Sequence, residues 1–278
     1  MGYKIKKIYL WEDLVWPHTD PITEAWIYHN ADLWLLSAVY VVDSWWTVDP
    51  NNVHTFSDKN LWATAVWNYW DTPTAANTWT FYQWWNNYGF LYNNAANTAT
   101  STSLVDTTNY WPSNYYSSST FIINWANDWT SDHNRNLWWW TATGTDYLVS
   151  RKWPCETWWH IPAAAELTTL TNMWQTLWWW WSSSDWISVS KALLLPNFSW
   201  RYSRNTSTWN LEFDTTAPCV YWCCDDWVLY QSAAYWLWVG NNWILYYGYA
   251  KAIWYSIRPM RNTPVVPDSS WTKIWPTS

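Results

Sequence analysis

The chain is 278 residues long, half hydrophobic and only 13% charged, with a formal charge of −7 and a pI near 5.0. That length and apolar content supply a substantial core, while the lack of any Lys/Arg-rich stripe excludes a nucleic-acid surface, because nothing would neutralise phosphates. No segment reaches the ~18–20 continuous apolar residues of a membrane helix; the longest run, Leu33 to Val42, is interrupted by Ser37 and reads as a buried strand.

Residues 1–30 read as an N-terminal segment. Lys4, Lys6 and Lys7 give it a basic start, but Glu12 and Asp13 arrive before any apolar stretch of signal-peptide length. No signal peptide is visible, so an export signal is expected upstream of this chain if the protein is exported. From Ala31 to Trp46 the chain reads as a strand or strand pair, closed by the turn cluster Asp49-Pro50-Asn51-Asn52. Residues 93–119 are rich in Asn, Thr, Ser and Tyr and read as a long irregular surface loop. One helix stands out after Pro162: Ala163, Ala164, Ala165, Glu166, Leu167, Leu170 and Met173 combine high propensity, an early acidic residue and a spacing near 3.6, predicting a helix over 163–174. Short strands are expected at 192–196, 228–231, 235–239, 244–249 and 255–258, with a hairpin turn at Val239-Gly240-Asn241-Asn242. The segment 263–278 reads as a Pro/Ser linker followed by a truncated tail. The domain itself is expected over 31–262.

Tryptophan is out of proportion. The chain has 37 Trp and 5 Gly, where a usage of ~7% would give about 20 Gly. Burying all those indoles would hide roughly 5,500 to 9,000 Å², around half the accessible surface of a folded chain this size. Their positions are more telling. Trp follows Asn or Asp between strand-like segments at Asp185-Trp186, Asp226-Trp227 and Asn242-Trp243, where tight turns call for Asn-Gly or Asp-Gly. Trp178 to Trp181, followed by three serines, reads naturally as a flexible Gly/Ser loop. One codon accounts for the pattern: UGA read as glycine in the source and written as Trp. UGG still encodes Trp, so some positions are genuine tryptophans.

Four ordered motifs point to a family. Asp58-Lys59-Asn60-Leu61-Trp62-Ala63-Thr64 comes first, then Tyr82-Gln83-Trp84-Trp85. Pro154-Cys155 follows, leading through Trp158-Trp159-His160-Ile161-Pro162 to Ala165-Glu166-Leu167, and Trp254-Tyr255-Ser256-Ile257-Arg258 closes the set. Together they resemble the signature of the Fibrobacter succinogenes major paralogous domain family over residues 40–262, with Trp62, Trp85, Trp158 and Trp254 standing where the family has glycine and Trp84 where it has a true Trp. The resemblance implies an α+β, C-type-lectin-like fold of short antiparallel strands, one main helix and long irregular loops, with the chain's two ends close together. It also implies a non-catalytic secreted or cell-surface module for adhesion or for binding carbohydrate or a partner surface. Asp58, Asn60, Leu61, Tyr82, Gln83, Trp84, Pro154, Cys155, His160, Pro162, Glu166, Ser256 and Arg258 are its signature residues, in structural rather than catalytic roles. Pro259 stands where the family often has a cysteine, so Cys155 lacks that closing disulfide partner; pairing with Cys219, Cys223 or Cys224 and free thiols both remain open.

Little points to catalysis. His18, His29, His54, His133 and His160 are scattered without metal-ligand spacing, and no nucleophile elbow or phosphate loop is present. His160 reads as a half-buried imidazole fixing the turn before the helix. Cys219 and Cys223 lack a second ligand pair for zinc, and no cofactor is expected, apart from a weak calcium option at Asp225 and Asp226 read as a turn. Two alternatives stand beside the binding module. One is a relative of the formylglycine-generating oxidases, for which the vicinal Cys223-Cys224 is the sole candidate redox pair. The other is a purely structural envelope component without a ligand pocket.

Overall fold

The computed structural model describes residues 24–41, 53–66, 68, 71–72, 74–78, 80–91, 98–110, 116–123, 128–132, 154–163, 166, 191–195, 201–204, 211–214, 219–226, 233–239 and 244–275. Within them the chain is mostly antiparallel strand, with one short helix, α1 (Ala75–Thr78). The largest sheet has six strands in the order β16 (Thr272–Trp275), β1 (Glu24–Asn30), β2 (Leu35–Val41), β3 (Val53–Ser57), β15 (Met260–Arg261) and β8 (Trp159–His160). A second sheet runs β10 (Leu211–Asp214), β9 (Arg201–Arg204), β14 (Trp254–Tyr255), β4 (Thr80–Gln83) and β5 (Phe90–Leu91). A third is the meander β11 (Cys219–Asp226), β12 (Ala233–Val239) and β13 (Ile244–Ala250). The parallel pair β6 (Thr100–Ser101) and β7 (Phe121–Ile122) forms a separate two-stranded sheet.

The near-continuous apolar run from Leu33 makes sense in this setting, because β2 is buried on both faces. Leu36 and Ala38 share one face with Phe56 of β3, all nearly solvent-free. Ser37 and Thr55 lie on the other face, joined hydroxyl to hydroxyl at 2.9 Å, and Ser37 donates to the Val265 carbonyl at 2.9 Å while Val265 N–H donates to Thr55 at 2.8 Å. The segment after residue 262 therefore lies against the sheet, and β16 adds its edge strand by antiparallel pairing with β1. The strand expected from Ala31 starts earlier. β1 and β2 form a hairpin whose turn is residues 31–34, with Leu33 N–H capped by Asn30 Oδ1. The two ends of the described chain thus meet in one sheet, through strands that both lie outside the 31–262 expected for the domain.

Other expectations fare differently. Strands at 235–239 and 244–249 appear as β12 and β13, paired from Val239↔Ile244 through Ala233↔Ala250. Residues 191–194 instead make a helical turn that leaves Leu194 at φ 52°, so of the strand expected at 192–196 none forms over the described 192–195. The 255–258 strand is short: β14 ends at Tyr255, and Ser256 makes only an isolated parallel bridge to Tyr221. Of the helix expected over 163–174 only Ala163, which is not helical, and Glu166, which is, are described; the rest of it and the strand at 228–231 lie outside the described residues. Asp225 and Asp226, read as a turn, are the last two residues of β11, across a bulge from Trp222.

Between the sheets lies a core of aromatic residues. Trp84, Trp129 and Trp222 are fully buried, and each indole N–H finds a backbone carbonyl: Cys223 at 3.1 Å, Trp84 at 2.7 Å and Tyr82 at 2.7 Å respectively. Trp85, Tyr82, Tyr255, Ile161, Val220 and Cys155 are among the residues packed with them. Trp84, Trp129 and Trp222 are tryptophans a core can hold, with apolar bodies packed and the polar atom satisfied.

Candidate functional site

The signature residues converge. The loop Asp58–Leu61 lies along the extended link between β14 and β15, with Leu61 N–H donating to Ile257 O and Ser57 N–H to Pro259 O, both at 2.9 Å. Arg258 locks the join from the side: Nη1 donates to Ser57 O at 3.1 Å, Nη2 to Leu194 O at 2.9 Å, and Tyr221 lies beneath the guanidinium with its hydroxyl 3.3 Å from Nη2. Asp58 pairs with His29 Nε2 at 3.0 Å. Gln83 reaches across to Ile122, donating to its carbonyl at 2.9 Å. Pro162 O accepts from Cys224 N–H at 3.0 Å, and Ser256 O accepts from Trp222 N–H at 3.0 Å. All of the signature side chains except Glu166 are buried. The motif is thus spent on joining sheets and loops, and its polar atoms point inward.

His160 is more deeply buried than expected. Its Nδ1 lies 2.9 Å from Asn262 Oδ1 and its Nε2 3.2 Å from Glu166 Oε1, while Glu166 Oε2 accepts the Ala163 N–H at 2.7 Å. Glu166 thereby binds the backbone three residues upstream, as a residue in the first turn of a helix does. His54, which sequence reasoning left among the scattered histidines, sits in β3 in the field of the same two groups. Burial holds its pKa below the ordinary histidine value, against a smaller upward pull from Glu166 and with His160 adding to the depression. A register argument finds it: Phe56 faces Met260 and Met260 faces His160, so the alternate residue His54 shares their side of the sheet.

Because His54 is held neutral in the fold and protonates freely once unfolded, the unfolded chain takes up more protons below about pH 6.5. Stability contributed by neutral His54 is whole above that pH and falls as pH drops toward the depressed folded value. Urea midpoints are expected to fall from about pH 7 to pH 5. The fall should be shallower in His54→Leu; an unchanged slope in that variant would remove His54 as the cause.

Cys155, Cys223 and Cys224 are buried thiols outside any disulfide, so the pairings of Cys155 with Cys223 or Cys224 do not form. Burial pushes the Cys155 thiol far up, with Glu156 adding to it, which makes it a poor nucleophile. Cys223 and Cys224 are fully enclosed rather than set in a cleft. Among the described residues no group of three or more His, Cys, Asp or Glu is placed to hold a metal ion, and no helix is long and apolar enough to cross a membrane. A partly open apolar pocket with about 20 Å³ of room lies between Leu36, Phe56, Leu193, Leu237, Tyr221 and Arg258. It has room for about one water molecule rather than a ligand.

Backbone geometry separates the tryptophans. Four non-glycine residues among those described have positive φ, and three of them are Trp: Trp34 at 59°, Trp62 at 65° and Trp85 at 81°. Trp62 and Trp85 are two of the positions where the resembled family has glycine. Trp158 is 66% exposed in a turn without positive φ, Trp254 lies in β14, and Trp186, Trp227 and Trp243 fall outside the described residues. A left-handed site costs an L-residue about 1–2 kcal/mol and glycine nothing. Trp62→Gly is therefore expected to be more stable than Trp62→Ala by about 1 kcal/mol, with the order reversed at Trp158. Chemical denaturation of the four variants measures it.

Comparison of the chain with protein-family models, curated proteins and solved structures finds no match.

Proposed function

We propose that this chain is a non-catalytic, secreted or cell-surface module of C-type-lectin-like architecture, which binds carbohydrate or a partner surface. The observation that carries this reading is the inward use of its motif residues: Asp58, Gln83, His160, Glu166 and Arg258 bond within the protein, as scaffold residues do. The sheet-rich antiparallel fold with joined ends supports the same architecture, by analogy of fold rather than of site. Three Trp at positive φ support the companion proposal that UGA-encoded glycines are written as Trp, with Trp34 joining Trp62 and Trp85 on the list. The native product then lacks the exposed indoles at Trp34 and Trp62.

Glycan-array screening of protein made with glycine at those positions tests the reading, with weak, saturable binding to a defined sugar class, or to a cell-surface extract treated in parallel, as the expected result. Copper-dependent oxidation of a cysteine substrate by the same protein would overturn it in favour of an oxidase.

A further inference from the structure

Lys251 and Asp128 meet in the core with both side chains closed off from solvent and Nζ 4.0 Å from Asp128 Oδ2. The Lys251 amine lies 4.6 Å from the ring centre of buried Trp84, so the wall around the pair is aromatic. The second carboxyl oxygen is held separately: Asp128 Oδ1 accepts from Thr130 N–H at 3.1 Å and from the Thr130 hydroxyl at 3.0 Å. An ion pair sealed in this way gives little stability, because desolvation of both charges offsets their attraction. An amine beside a carboxyl group whose other oxygen already faces two donors is, however, arranged for condensation.

We propose that Lys251 and Asp128 become joined by an intramolecular amide bond. A proton passes from the ammonium to the carboxylate, and the Nζ lone pair adds to Cγ after a small torsional advance to the near-attack separation of about 3–3.5 Å. Charge developing on Oδ1 falls on the two Thr130 donors, which act as an oxyanion site. Oδ2 takes up the second amine proton and leaves as water. One N–C bond forms, one C–O bond breaks and nothing is oxidised or reduced. The product is neutral, so the buried charges disappear, and the closed site excludes the water needed to reverse the step. The bond would tie the loop before Thr130 to the end of β13, two parts of the chain far apart in sequence.

Intact-mass measurement of the purified full chain tests this without any variant. The folded protein is expected to be lighter than its sequence by one water, and digestion should release a branched peptide linking the Lys251 and Asp128 segments. Protein isolated and kept in denaturant should show the sequence mass. Thr130→Val, which removes the hydroxyl donor but keeps the backbone one, should lower the cross-linked fraction several-fold, and Thr130→Ser should restore it. A folded chain at its full sequence mass overturns the proposal, as does a water loss that maps to any other pair of residues.

Discussion

Replacing Trp84 with alanine is expected to destabilise the protein by about 3–5 kcal/mol, enough to unfold a marginal domain. Trp84 is fully buried at the centre of the core, so the change leaves a cavity that its rigid neighbours cannot fill. Its N–H is also the donor to Cys223 O, and the loss strands that carbonyl in the interior. Trp84→Phe separates the two contributions, since it keeps most of the packing and loses only the hydrogen bond, at an expected cost of about 1–3 kcal/mol. Trp158→Ala, at an exposed turn, should stay within about 0.5 kcal/mol of the parent. Urea unfolding of the three variants gives the ranking. Equal effects at Trp84 and Trp158 would show that the written indoles are not sorted into core and surface as described.

The contrast between Trp84 and Trp85 shows what sequence made legible. The two are adjacent and both buried in the core, yet Trp84 has its indole N–H bonded to Cys223 O while Trp85 holds a backbone angle of 81°. Motif context treats them differently, because the resemblance implies a true Trp at the first and a glycine at the second. Strands with strong apolar or alternating runs, such as β2, β12 and β13, were also readable. The helical turn at 191–194 was not, since Ala-Leu-Leu-Leu-Pro has no period that distinguishes a turn from a strand. Nor were the partners of buried polar groups: His54 acquires its neighbours only through the register of β3, β15 and β8, and Lys251 meets Asp128 from across the chain. Burial of the signature residues could be anticipated from the motif, but their bonding partners depend on long-range pairing that no local pattern encodes.

Arg258 is where that long-range pairing is most exposed to a single change. Arg258→Met is expected to cost about 3–5 kcal/mol, since each charge-assisted hydrogen bond contributes about 1.5–3 kcal/mol and their losses overlap rather than add. The guanidinium joins three segments by polar contacts: the end of β3 through Ser57 O, the helical turn through Leu194 O and β11 through Tyr221. Its planar fork serves two divergent carbonyls while lying over an aromatic ring, which a lysine ammonium cannot reproduce. Arg258→Lys should therefore recover less than half of the loss, although it keeps the charge. Amide exchange adds a spatial readout. Protection at Leu61, whose N–H donates to Ile257 O, and at Leu194 should fall in both variants, while the β12–β13 ladder keeps its protection relative to global stability. A lysine variant as stable as the parent would mean that charge alone, rather than the bidentate reach of the guanidinium, holds these segments together.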